Sequence, residues 1–244
     1  MHWLRSYTLL MKWTLIRLKY VAPLMVVVQT FLAVGIVVGF AFLLPQVDAN
    51  SALYLSTGAA TLGLITVGMV LAPQVVADSK RDGSFEYSRT LPVPRLALVA
   101  ADVSIWLLIA LPGIALSLVV AALRFDLALD VSPLVVLALL LVTVTSISIG
   151  YAFAYAVPPT VSSLISQVIV FVALMFSPID FPAERLPGWL QDLHLFLPFQ
   201  YMAQATRETM MASPHGLSVT PFLVLGLWCT ACLAVTVRIM SRRK

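Results

Sequence analysis

Asp78-Ser79-Lys80-Arg81-Asp82-Gly83-Ser84-Phe85-Glu86-Tyr87-Ser88-Arg89-Thr90-Leu91-Pro92-Val93-Pro94-Arg95 separates two long apolar runs, about 53–76 before it and 97–123 after it. The stretch holds seven charged residues, from a total of 15 Lys/Arg and 11 Asp/Glu in 244 residues. Each neighbouring run is longer than the roughly 20 apolar residues a helix needs to cross a bilayer core. A charged insert between two such runs reads as a water-facing loop joining two membrane spans.

The same measure applied outward predicts six spans, at about 21–44, 53–76, 97–123, 132–157, 160–179 and 218–239. Composition agrees: 61% of residues are hydrophobic, 11% are charged and the mean hydropathy is +0.99. A soluble domain carries about 25% charged residues. The fold class predicted is therefore an all-α integral membrane protein. Residues 1–244 read as one transmembrane domain, with little chain left over for a soluble catalytic domain.

Charge distribution sets the expected orientation. Arg5, Lys12, Arg17 and Lys19 precede the first span, and Lys80, Arg81, Arg89 and Arg95 occupy the second loop. Arg238, Arg242, Arg243 and Lys244 close the chain. The opposite side has only Arg124, Arg185 and Arg207 among several acidic residues. By the positive-inside rule both termini and the 77–96 loop face the cytoplasm. The formal charge of +4 then reflects topology, and no nucleic-acid partner is expected.

Residues 1–20 lack the short apolar core and small-residue cleavage site of a signal peptide. Arg5, Lys12 and Lys19 recur on one helical face and Leu4, Met11 and Leu18 on another, which predicts an amphipathic helix lying in the membrane interface. An alternative is a juxtamembrane extension of the first span. Between spans five and six, residues 180–217 mix Phe, Trp, Leu and Met with charge and are punctuated by Pro182, Pro187, Pro198 and Pro214. They are expected to form short helices on or within the outer membrane face, packed on the spans.

Motifs for chemistry are sparse. No G-x-x-x-x-G-K-[ST] loop, H-E-x-x-H or G-x-S-x-G occurs, so the chain is not expected to be an enzyme or to bind ATP itself. His2, His194 and His215 are scattered and read as surface residues. Cys229 and Cys232 lie within the last span, where buried cysteines act as small hydrophobes. Asp102 reads as a locally paired or snorkelling carboxylate near the membrane surface. Gly35 and Gly39 form a G-x-x-x-G pattern that allows close helix approach, and Ser162 and Ser166 offer a second small-residue face. These four are candidates for packing against another subunit.

The loop carries a further pattern: Gly83-Ser84-Phe85-Glu86, then Thr90-Leu91-Pro92-Val93-Pro94-Arg95. The outer segment adds Ser177-Pro178-Ile179, Phe181-Pro182, Leu186-Pro187-Gly188-Trp189-Leu190 and Leu197-Pro198, with Tyr201 and Arg207 following. Their order resembles the type-2 ABC transporter permeases, the membrane subunits of drug, lipid and polysaccharide exporters. Ser84, Phe85 and Pro94 stand where that family's pattern has Thr, Leu and Ser. The resemblance implies an ATP-driven exporter subunit in a bacterial inner membrane, carrying a hydrophobic or amphipathic substrate such as a drug-like compound or lipid. It implies that Gly83, Ser84, Phe85, Glu86 and Arg89 belong to a coupling helix that docks on a separate ATPase. Two ATPase copies would bind ATP and magnesium, and a second permease subunit, identical or related, would complete the pathway within the lipid bilayer. No cofactor is expected in this chain. An ion-gradient-driven secondary transporter or channel is the alternative, and it would call for paired intramembrane acids or matched broken helices.

Overall fold

A computed structural model describes residues 2–43, 49–85, 93–127, 131–210 and 217–241. Its elements are helices: α1 (His2–Leu18), α2 (Ala22–Leu43), α3 (Ala49–Thr66), a π-helical turn (Val67–Leu71), α4 (Ala72–Arg81), α5 (Arg95–Phe125), α6 (Val135–Ala156) and α7 (Pro159–Phe176). A 3-10 turn (Ala183–Arg185), α8 (Gly188–His194), α9 (Pro198–Met210) and α10 (Thr220–Ser241) follow. Six helical stretches are long and apolar enough to cross a membrane: Ala22–Phe42, Ser51–Arg81, Leu96–Phe125, Val135–Ala156, Pro159–Phe176 and Thr220–Ile239. They match the six predicted spans, except that the second continues to Arg81 and takes in the first part of the charged insert.

That second span, α3 through α4, is the central one. Most of its residues are buried, whereas the first, fifth and sixth spans bury few of theirs. The core gathers Leu62, Leu64, Ile65, Val67 and Met69 from this span with Ile105 and Trp106 of α5 and Ile147 of α6. Around it α2 packs along α5, α6 along α10, and α4 against both α6 and α7. Four hydroxyls of the second span are satisfied locally: Ser56, Thr57, Thr61 and Thr66 each donate to the carbonyl four residues back. Back-bonding of this kind lets Ser and Thr sit in an apolar helix without an orphaned donor.

The π-turn has a local cause. Pro73 contributes no amide hydrogen and its ring crowds the preceding turn. The helix widens instead, and the Ala72 amide bonds the Val67 carbonyl five residues back. Gly150 of α6 fits against the widened turn, with its α-carbon beside the Gly68 carbonyl and Pro73. A second polar tie holds the first span: buried Gln29 donates through Nε2 to the Gly63 carbonyl.

α1 is separate from the first span, because residues 19–21 break the helix. Leu10 packs on Ala97 and Ala101 of α5, and the Tyr7 hydroxyl bonds Ser104 Oγ at 2.8 Å. Leu18 is buried within the chain, whereas Leu4 is 65% exposed. The face that packs therefore runs through Tyr7, Leu10, Met11 and Leu18.

Candidate functional site

The residues singled out in the charged insert lie at the end of the bundle where α1, α4, the start of α5 and the end of α6 meet. Helix α4 stops at Arg81, whose guanidinium pairs with Asp78 at 3.0 Å on an exposed surface. Gly83 follows at φ +77 with no atom within 4 Å of where a β-carbon would lie. The left-handed turn, and not crowding, is what requires glycine there. Asp82 accepts the Ser84 amide at 2.9 Å. The Ser84 side chain and amide together hold the Asp82 carboxyl below its usual range.

Ser84 and Phe85 fold back on the bundle. Arg17 of α1 donates to Ser79 Oγ at 3.0 Å and to Ser84 Oγ at 3.4 Å. Phe85 stacks on Tyr155 of α6, with centroids 5.6 Å apart and planes at 27°. Lys80 Nζ lies 5.6 Å from the Phe85 ring centroid. The same ammonium donates to the carbonyls of Ala154, Tyr155 and Val157 at 2.7, 3.2 and 3.0 Å. These carbonyls belong to the end of α6, where a helix leaves acceptors open and its dipole favours a cation. Tyr155 meets Tyr151 edge-on at 5.4 Å. The Tyr151 hydroxyl then donates to Asp102 Oδ2 at 2.8 Å. Asp102 is thus locally paired, one of its two expected states.

Glu86 and Arg89, the other two candidates in the insert, lie outside the described residues. Of the four expected packing residues, Gly35 and Gly39 are exposed, with open space where a β-carbon would sit. They share an outer face of α2 with exposed Leu24, Val28, Phe31 and Phe42. Ser162 and Ser166 are buried within the chain, on the helix that packs against α4. In this single chain that small-residue face is occupied by α4.

The opposite end of the bundle holds a polar cluster around Arg207, whose partners the sequence did not name. Arg207 of α9 donates through Nε to Thr57 Oγ1 at 3.2 Å and through Nη2 to the Ile179 carbonyl at 2.8 Å. Its guanidinium carbon lies 3.7 Å from the Tyr54 ring centroid. Burial pushes the Arg207 pKa down to about 10, which leaves it cationic at neutral pH. Asp180 is buried, and its Oδ1 lies against Gly58 with no hydrogen-bond partner. Burial raises its carboxyl to about 7, with Arg207 opposing the shift. Thr61 and Thr206 hydroxyls bond each other across the α3–α9 contact. His194, expected at the surface, is buried instead; it bonds the Leu190 carbonyl at 2.8 Å and Ser177 Oγ at 3.1 Å. A ring in a seven-residue amphipathic helix turns inward or outward according to what packs beneath it, and spacing alone did not show that Ser177 lies there. Phe196 just beyond α8 accepts Trp228 Nε1–H at 3.2 Å. Trp228 sits eight positions into α10, about 12 Å along the helix axis, so this segment reaches down beside the sixth span.

Among the described residues no group of three His, Cys, Asp or Glu side chains could hold a metal ion. Cys229 and Cys232 are free and half-buried.

Six helical stretches long and apolar enough to cross a bilayer define a multi-pass membrane protein. The family model of the ABC-2 type transporter matches residues 6–211, most of the chain, and the chain belongs to that family. It is a permease-type membrane component of an ABC transporter, the part distinct from the ATPase. The comparison with curated proteins gave no match.

Proposed function

We propose that this chain forms the translocation pathway of an ATP-driven exporter and takes its driving force from a separate ATPase docked on residues 83–89. The observation that carries the reading is the segment after Arg81. It leaves the second span through an exposed left-handed glycine, and its sequence continues with Phe85, Glu86 and Arg89 in a chain that has no G-x-x-x-x-G-K-[ST] loop. Gly83 allows the sharp exit, Phe85 supplies apolar surface, and Glu86 and Arg89 supply charge-assisted hydrogen bonds for orientation.

Two ATPase chains, loaded with ATP and magnesium, would act on two permease chains. Gly35 and Gly39 give the first span a surface that another helix can approach closely. The buried depth of the spans is mostly apolar, which suits a hydrophobic or amphipathic cargo such as a lipid or drug-like compound. The basic residues at both termini and in the 77–96 loop support a cytoplasmic location for all three in a bacterial inner membrane. The 180–217 helices would then lie on the outer side, and α1 at the inner interface.

Co-purification tests this reading. Phe85→Ala and Glu86→Ala should leave the protein inserted in the membrane while reducing capture of an ATPase expressed alongside it by tenfold or more. Undiminished capture by both variants would overturn the assignment of the docking segment. Labelling of cysteines placed at 80–90 from the outer face would overturn the topology.

A further inference from the structure

We propose that Tyr155 clamps the 83–85 segment to the fourth span, so that the segment, the end of α4 and the end of α6 move together when the ATPase acts. The inference rests on the reading that this segment receives the ATPase.

The covalent route from the segment into the second span is a poor lever. It passes through Asp82 and Gly83, both exposed, and a β-carbon on Gly83 would meet nothing within 4 Å. A displacement entering there would be absorbed by backbone rotation at the glycine. Non-covalent contacts bypass the joint. Phe85 stacks on Tyr155, and Lys80 is held by three carbonyls at the end of α6 while its ammonium also faces the Phe85 ring. An ammonium has three donors, and three acceptors around it fix its position more firmly than a single ion pair would.

The contact also leads onward. Tyr155 and Tyr151 are one helical turn apart on the same face of α6, and their rings meet edge-on. The Tyr151 hydroxyl reaches Asp102 in α5. A push on Phe85 is therefore delivered to α6 directly and to α5 through one hydrogen bond. Tyr155 is a positioning residue here: its ring fills the space between the segment and the rest of α6.

Hydrogen exchange on the complex with its ATPase, nucleotide-free and then trapped with ATP and vanadate, tests this without knowledge of the cargo. In the wild type, amides of 79–85 and 151–157 should change protection together. Tyr155→Phe keeps the ring and should behave likewise. Tyr155→Leu should still capture the ATPase and show the response in 79–85, but the nucleotide-dependent change in 151–157 should shrink at least fivefold. A full response of 151–157 in Tyr155→Leu, or none in the wild type while 79–85 responds, would overturn the clamp. Failure of the wild-type chain to capture an ATPase, or no response in 79–85, would instead overturn the docking assignment on which it rests.

Discussion

The α-carbon of Gly150 lies directly against the carbonyl oxygen of Gly68, so closely that a methyl group on Gly150 would overlap that oxygen and stand 2.7 Å from Pro73 Cγ. The fit is reciprocal: a methyl group on Gly68 would meet the Ser146 side chain and the Ile147 amide nitrogen, the latter at 2.8 Å. The obstructing atoms are mostly backbone, so the helices themselves would have to separate. Gly150→Ala and Gly68→Ala should each cost about 1–3 kcal/mol, despite the gain of about 0.5–1 kcal/mol in helix propensity. Thermal unfolding of the detergent-solubilised protein measures this, with Gly35→Ala, which meets no obstruction, as the control. Equal melting temperatures for all three variants would contradict the close contact of α6 with the π-turn.

Asp180 should make stability depend on pH in an unusual direction. Its carboxyl is raised by burial from 3.8 to about 7, with Arg207 opposing the shift. The native state therefore holds this proton more tightly than the unfolded chain does. Its contribution to stability is fully present below about 4 and is lost as pH rises to about 7. Asp180→Asn keeps the shape and removes the titration. The wild type should lose melting temperature relative to Asp180→Asn between pH 4 and 7, and the gap should level off above that range. Parallel curves for the two proteins would rule out a buried, proton-linked Asp180.

Gln29 ties the first span to the second through the Gly63 carbonyl. Hydrogen bonds between membrane helices average about 0.6 kcal/mol and rarely exceed about 1.7 kcal/mol. Gln29→Leu should therefore destabilise the solubilised protein modestly, by about 0.5–1.5 kcal/mol, without preventing insertion. A loss well above that range would mean that the side chain fills space that leucine cannot.

Gly35 and Gly39 separate self-association from folding. Both face open space within one chain, so Gly35→Leu and Gly39→Leu should leave insertion and melting temperature unchanged. If the first span packs against a second permease chain, chemical cross-linking of membranes should show the dimer fraction reduced severalfold. An unaltered dimer yield would assign the subunit contact to another face.

The two ends of the molecule differ in how much could be read beforehand. The six spans were legible because lipid crossing is a local property: about 20 consecutive apolar residues suffice, whatever surrounds them. The charged loop after the second span was legible for the same kind of reason, as a run of polar residues between two apolar ones. The Arg207, Asp180 and Tyr54 cluster was not, because Arg207 and Thr57 are 150 positions apart and nothing in either neighbourhood names the other. The burial of His194 was not legible either, because it depends on Ser177 packing beneath it, and a small-residue face such as Ser162 and Ser166 does not state which helix it receives.

Hydropathy and charge alone make this chain a set of membrane helices with a charged loop between the second and third. Hydropathy and charge act residue by residue along the chain, and the order of its short motifs already resembled one permease family. That Phe85 rests on Tyr155, that Lys80 closes the end of α6 and that Gly150 admits the Gly68 carbonyl became visible only in the folded chain. Those pairings depend on distances set by the packing of whole helices against one another. Many alternative packings satisfy the same apolar pattern, and the close contacts at these particular side chains select one of them.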